Sequence, residues 1–377
     1  MLEIIVPCAR GLEALVREEI EALGGERCSA QPGAVRGAGT WETVWRANLF
    51  LRCGRRVLVG LADWPAWNGA SLGDGLVDLL RSDPGLRQIL SPDRSVSVHG
   101  SASASRLEDG RAIADIVGEA LRGEQRRRAG RESAPSSDAA DLPLRVRVHG
   151  DHATLLLDTS GRPLDARGTA AEGPGHPRAT VCAALFAAAS WDGTGALCDP
   201  FAGDGRVLEE ALAACEGWAP GRRRRRWPFE ALSSWDPDAF AGLGAPAPHA
   251  PGVSLYGGDP DQRSVRALRG WGDALGVGRR LRSRHTQLTH LGAPEDRGLV
   301  VTAPPAGGTS EDWSALGEVL KHRFVGWTAA VLCVDGGERH LGLRPRRSLK
   351  VRDGDLEGTI VVLDLWAGRL HGRRRQR

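Results

Sequence analysis

Two loops carry the residues whose types and spacing could do chemistry. Residues 197–213 read LCDPFAGDGRVLEEALA: a short apolar run, a loop of acids and glycines, then an amphipathic helix. Residues 300–308 read VVTAPPAGG, a second apolar run that stops at a Pro-Pro pair. In an open α/β sheet a ligand sits beyond the carboxyl ends of the strands, and both loops fall at such ends. Gly203 and Gly205 can take positive φ and leave no side chain where backbone must approach a ligand. A dinucleotide loop needs another small residue three positions after the second glycine. Leu208 stands there, which argues against NAD. A further acid, Asp259 in LYGGDPDQRSV, ends the next apolar run and is placed to hold ribose hydroxyls. A plain helix N-cap is the competing role for it. Its separation from the first loop exceeds the usual ~20 residues, and the Arg-, Trp-, Pro- and Ala-dense stretch 216–251 accounts for the excess.

The elements that must position these loops alternate in type. A helix over 178–189 precedes a buried strand at 196–199, and a helix follows over 206–214. After the insertion 216–251 come a strand at 254–258, a helix at 263–275, strands at 281–284 and 298–302, a helix at 312–324 and a strand at 329–333. Such alternation predicts a parallel sheet covered on both faces. Two runs, 347–351 and 359–365, follow with only DGDLEG between them, so the last pair is an antiparallel hairpin. Upstream, the pattern is a strand at 2–7, a helix at 11–23, strands with a glycine turn at 35–45 and a helix-then-strand run at 47–61. Helices at 71–80 and 112–122 and strands at 95–100, 144–148 and 153–158 complete an α+β module. Residues 126–142 read as a mobile loop, and the glycine- and proline-punctuated linker 160–177 marks the main domain boundary.

At 377 residues the chain is long enough for two or three domains, and a net charge of +3 gives no global nucleic-acid signature. Lys321 and Lys350 are the only lysines, which fits the codon bias of a GC-rich genome. Three local clusters could each neutralise phosphates: Arg126–Arg128 with Arg131, Arg222–Arg226, and Arg373–Arg375 with Arg377. The seven cysteines form no C-x-x-C pair and several sit in apolar patterns, which points to a reducing cytoplasm and no metal site. The N-terminus lacks a charged n-region and a long apolar core, so no signal peptide is expected, and no apolar run approaches the ~20 residues of a membrane span.

The order of motifs resembles the THUMP-domain family of RNA guanine-N2 methyltransferases, a class I group dependent on S-adenosylmethionine (SAM) that modifies large-subunit ribosomal RNA. LDTSGRPLDARG (157–168) resembles the entry to its catalytic domain, and PRATVCAALFAAASWDG (177–193) the helix beside the cofactor. LCDPFAGDG resembles its Asp-Pro-x-Cys-Gly-Ser-Gly loop, with Ala202 for Cys and Asp204 for Ser. WPFEALSSWDPDAF (227–240) resembles a family insertion, and KHRFVGWTAAVLC (321–333) the passage after the catalytic loop. PCARGLEALVREEIEALGG (7–25) and VWRANLFLRCGRRVLVGLADWPA (44–66) extend the resemblance over nearly the whole chain.

The resemblance implies a ferredoxin-like part (1–60), a THUMP RNA-binding part (61–160), a Rossmann-like methyltransferase domain (161–370) and a basic tail (371–377). The fold class is thus α/β, with a seven-stranded sheet whose last strand is antiparallel, preceded by an α+β module. Asp199, Phe201, Ala202, Gly203 and Gly205 would line the methionine end of SAM, and Asp259 would hold its ribose. SAM has no pyrophosphate, so Leu208 is no obstacle. The family's acid for the adenine amino group is replaced by Thr286 and Gln287, and Gln287 can accept that bond through its amide oxygen. The family's catalytic Asn-Pro-Pro-Tyr reads Ala303, Pro304, Pro305, Ala306 here. The Pro304 carbonyl still accepts an amine N–H, but the Asn acceptor and the base-stacking ring are absent. Trp313 is the ring downstream that could take the stacking place. Structured RNA, above all ribosomal RNA, is the implied partner, with no membrane. The alternatives are an inactive RNA-binding paralogue in ribosome assembly, or a methyltransferase with a changed acceptor.

Overall fold

The computed structural model describes residues 1–136, 140–167, 177–244 and 247–366. It divides into two compact units. The first takes Met1–Cys8, Val16–Leu164 and Gly221–Gly244; the second takes 9–15, 165–220 and the described residues after 244. The basic tail expected at 371–377, with Arg373–Arg375, lies outside the described residues.

The first unit is built on β1 (Leu2–Pro7), α1 (Glu13–Ala22), β2 (Glu26–Gln31), β3 (Ala34–Gly39), α2 (Trp41–Phe50), β4 (Leu58–Pro65), α3 (Gly69–Ser82), α4 (Pro84–Ile89), β5 (Val96–Ser103), α5 (Gly110–Ala129), β6 (Leu142–His149) and β7 (His152–Asp158). The strands form one sheet in the order β2-β3-β1-β4-β7-β6-β5. β4 pairs with β1 on one side and β7 on the other, so the segments expected as ferredoxin-like and THUMP parts share a sheet. The boundary expected at 60/61 falls inside β4. In β6 the side chains alternate between buried Leu142, Leu144, Val146 and Val148 and the arginines of the other face, the pattern of a sheet covered on one side.

Local chemistry explains where the structure departs from the expected elements. The β-branched run around Thr43 and Val44 reads as strand, yet it is helix α2. Thr40 caps it, and Thr43 returns the bond to the Thr40 N–H, a reciprocal cap that outweighs β propensity. α5 runs through Arg126–Arg128, where a mobile loop was expected, and stops at Gly130 in the left-handed region. Cations in the last turn suit the helix C-terminus, and Arg126 pairs with Glu119 and Glu132, Arg127 with Glu124, and Arg131 with Asp93. Arg126, Arg127 and Arg131 of this cluster are therefore already engaged with local acids.

The insertion is also placed differently. Gly221–Gly244, expected as part of the methyltransferase domain, belongs to the first unit. Trp227, Phe229, Trp235 and Phe240 form an aromatic cluster on Trp45, with Trp45 and Trp235 edge-on at 5.4 Å. Arg224 donates to the carbonyls of Ser160, Arg162 and Pro163, and Arg226 pairs with Asp141. The motif 227–240 is an aromatic clasp on the first unit.

The second unit follows the expected alternation: α6 (Ala179–Ala189), β8 (Ala196–Asp199), α7 (Arg206–Cys215), then, beyond the clasp with its short helix α8 (Pro237–Ala241), β9 (Leu255–Asp259), α9 (Gln262–Ala274), β10 (Leu281–His285), β11 (Gly298–Thr302), α10 (Ser310–Arg323), β12 (Thr328–Val334), β13 (Arg347–Asp353) and β14 (Leu356–Asp364). The strand order is β10-β9-β8-β11-β12-β14-β13. β8 through β12 are parallel, and β14 runs antiparallel between β12 and β13. β8 and β11 are wholly buried, as central parallel strands must be. Strand order reverses at β8, so the crevice of this sheet lies at its carboxyl end.

Candidate functional site

Asp199 ends β8 and is 1% exposed. Its Oδ1 accepts the Phe201 N–H at 3.0 Å and the Thr302 hydroxyl at 2.6 Å. Its Oδ2 is buried and accepts no hydrogen bond from the described residues. Burial pushes the carboxyl up to about 7, with Asp259 and Asp204 adding in the same direction, while Thr302 and the Phe201 N–H pull it back. A buried polar atom without a partner is costly.

The loop after Asp199 is held by the neighbouring strand. Ala202 N–H donates to the Gly258 carbonyl at 2.9 Å, and Gly203 N–H to Asp259 Oδ2 at 3.0 Å. Asp259 Oδ1 accepts the Asp261 N–H at 2.8 Å. A carboxylate offers about four lone-pair directions, so Asp259 can brace the loop and still accept from ribose hydroxyls. Asp261, not Asp259, caps α9, which removes the competing helix-cap role for Asp259. Gly203 has φ +50°, and a Cβ there would meet the Phe201 carbonyl at 3.8 Å, an ordinary contact. Gly205, at φ +84°, starts α7, and a Cβ on it would lie 3.0 Å from Leu268 Cδ1.

These contacts bring Asp199, Phe201, Ala202, Gly203, Gly205 and Asp259 together at the ends of β8 and β9. Gln287 is exposed beyond β10, and its carbonyl accepts the His290 N–H. The 303–306 segment leaves β11 directly after Thr302: Ala303 and Pro304 are half-buried, and Pro305 and Ala306 are exposed. Trp313 is not free to stack on a base. It is 3% exposed in α10, and a Cβ on Gly337 would lie 2.1 Å from its ring.

Thr302 is the residue that sequence reasoning missed. Its hydroxyl links the acid of the first loop to the segment that carries Ala303. The signal was available: a lone hydroxyl closing a run of buried aliphatic residues must find a partner. Thr302→Val removes that donor at nearly constant shape and is expected to cost about 1–3 kcal/mol, read as a lower urea midpoint at unchanged slope. An unshifted midpoint would show that the bond contributes nothing.

Cys182, Cys198 and Cys333 are buried, and burial pushes their thiols up, away from nucleophile or ligand chemistry. Among the described residues, no group of three or more His, Cys, Asp or Glu is placed to hold a metal ion, and no helix is long and apolar enough to cross a membrane.

Comparison with known proteins places this geometry. Residues 3–58 match the RlmL ferredoxin-like domain, and residues 167–346 match the RMKL-like methyltransferase domain. A Synechocystis sp. protein with a provisional RNA methyltransferase name is 27% identical over 376 residues, 95% of each chain. Ribosomal RNA large subunit methyltransferase K/L of Syntrophotalea carbinolica is 28% identical, over 98% of this chain and 55% of that protein. The chain thus spans about half the length of the K/L relatives. The solved structure of SMU.472 with SAH has a TM-score of 0.83 at 21% identity, covering 98% of this chain and 99% of that one, which shows the shared fold. The two domain matches fall in chain order, an RlmL-type ferredoxin-like domain followed by an RMKL-like methyltransferase domain, and the two loops are set at the strand ends of the second.

Proposed function

We propose that the chain binds SAM at the carboxyl ends of β8 and β9 and directs its methyl group to the N2 amine of a guanine in structured RNA, ribosomal RNA of the large subunit above all. The observation that carries the reading is the buried Asp199 Oδ2, which has no hydrogen-bond partner among the described residues and belongs to the loop that Asp259 braces through the Gly203 N–H. It offers an acceptor for the ammonium of the methionine end, while Asp259 keeps lone pairs for the ribose. Gln287 is the adenine partner in this reading. Bound there, SAM supplies a sulfonium methyl carbon as electrophile. The Pro304 carbonyl receives one N–H of the attacking amine and orients it, and Pro305 stiffens the turn. Ala303 offers no second acceptor and Ala306 no ring, so the reading calls for slow turnover. The K/L name of the relatives supports ribosomal RNA as acceptor, and seven free cysteines suit the reducing cytoplasm where that RNA is found.

Calorimetric titration of SAM into the full chain, followed by methyl transfer to total ribosomal RNA, tests the reading. Saturable binding and slow, N2-directed methylation are expected. No binding at high micromolar SAM would sink it, and binding without any transfer would favour the non-catalytic paralogue. RNA affinity is expected to fall steeply with salt and to depend on the first unit. The full chain is the right sample, because a fragment ending at 160 would lose the aromatic clasp over Trp45.

A further inference from the structure

Beside the 303–308 loop lies a cleft of about 480 Å³ whose lining residues all belong to the second unit. Its floor is Cys333, Gly358 and Thr359, where β12 meets β14. One wall is the Arg10–Gly11 segment. Arg10 exchanges backbone hydrogen bonds of 3.0 Å with Arg352, and Gly11 lies so close to β13 that a Cβ would stand 1.7 Å from the Lys350 carbonyl. On the lip, Asp335 accepts the Gly307 N–H at 3.3 Å, which ties the cleft to the loop that carries Pro304.

Two features of the lining stand out chemically. Arg10, Arg339 and Lys350 line the cleft and are exposed, with no acid paired to them among the described residues, whereas Arg352 is paired with Glu357 at 3.0 Å. Lys350 is one of only two lysines in a chain that otherwise uses arginine. Glu338 also lines the cleft, and its Oε2 is buried with no hydrogen-bond partner among the described residues. Cations at the rim call for phosphate. A carboxylate oxygen without a partner calls for N–H donors. Guanine alone among the four RNA bases presents two adjacent donors, N1–H and the N2 amine, on its pairing edge, and a carboxylate can accept both. Adenine and cytosine place a ring acceptor beside their amine, and the single N–H of uracil lies between two carbonyls. The volume suits one nucleotide.

We propose that this cleft is a guanine-nucleotide subsite, in which Glu338 accepts the donors of the base edge and Arg10, Arg339 and Lys350 hold the phosphates. It deepens the reading above, and rests on it, by naming where a guanine of the RNA flanking the methylated one sits beside the methyl-transfer loop. The test uses the full chain with GMP, IMP and AMP as probes, by calorimetry or by protein-observed NMR. GMP is expected to bind about 10- to 100-fold tighter than AMP, with IMP, which keeps N1–H and lacks the amine, in between. Glu338→Gln is expected to erase the preference, while Arg10→Ala and Lys350→Ala weaken GMP and AMP alike. Equal binding of GMP and AMP to the unaltered chain would overturn the subsite, as would an undiminished preference in Glu338→Gln. SAM titrated into the same sample separates the two readings. SAM binding without guanine preference overturns the subsite alone. Guanine preference without SAM binding supports the subsite and overturns the methyl-transfer reading.

Discussion

Replacing Ala303 with Asn and Ala306 with Tyr together is expected to raise methyl transfer to ribosomal RNA by ~10³–10⁵-fold. A preorganised hydrogen-bond partner in the transition state is worth ~10²–10³ in rate, and a base stacked on an aromatic ring about 1–3 kcal/mol in binding. The first replacement puts an amide oxygen next to the Pro304 carbonyl, so both N–H bonds of the amine gain acceptors and its lone pair is turned toward the methyl carbon. The second supplies the ring. The backbone is ready for both. Ala303 follows Thr302, which is tied to Asp199 at 2.6 Å, so its position is fixed relative to the first loop. Ala306 is exposed, and nothing lies within 4 Å of a Cβ at the neighbouring Gly307, so a ring has room. Each single change is expected to give part of the gain, and the pair need not be additive, because both groups act on one base. The measurement is tritiated methyl incorporation under single-turnover conditions with saturating SAM. A double variant that binds SAM and still transfers nothing to any RNA would show that the loop is not the only part of the machinery lost.

The second unit was legible in the sequence because its strands are short apolar runs between helices of clear period, and because the hairpin over 347–365 has too short a connection for a crossover. The loop at 199–205 was legible for the same reason: acid, glycine and strand end coincide. What escaped was set by tertiary partners. Thr43 and Val44 read as strand until the Thr40 cap is seen. Arg126–Arg128 read as loop until Glu119, Glu124 and Glu132 are placed beside them. The clasp 221–244 interrupts the second unit in sequence, yet its aromatic residues meet Trp45, about 180 positions away in the chain. Thr302 and Glu338 each needed a neighbour from a distant strand or loop before a function could be read. A single sequence records residue types at each strand end; it does not record which ends the sheet order brings side by side.

Asp199→Asn is expected to make the ligand-free chain more stable at pH 8 by roughly 1–3 kcal/mol and to weaken SAM binding at least ~10-fold. Asp199 is buried, and burial lifts its carboxyl from 3.8 to about 7. An acid raised in this way holds its proton longer in the folded state than in the unfolded one. Its cost is absent below the unfolded value, grows as pH rises between the two values, and is complete above the folded one. The full cost is on the order of 4 kcal/mol at 1.36 kcal/mol per pKa unit. The amide removes the charge, keeps an oxygen for Phe201 and Thr302, and leaves a buried N–H₂ whose lost hydration returns about 1–3 kcal/mol. Urea unfolding of both proteins at pH 5 and pH 8 isolates the residue, since all other groups cancel in the difference; the advantage of the variant must be larger at pH 8. Ligand binding runs the opposite way. In the proposed site the ammonium of the methionine end would pair with the ionised carboxylate, so SAM affinity of the unaltered chain is expected to rise about tenfold from pH 6 to pH 8 as the ionised fraction grows from about a tenth to about nine tenths. In Asp199→Asn that rise disappears. A flat profile in the unaltered chain, with binding still measurable, would remove Asp199 as the ammonium partner. The two halves together follow from one cause: a charge held in the core without its partner destabilises the fold, and a ligand that supplies the partner recovers that cost.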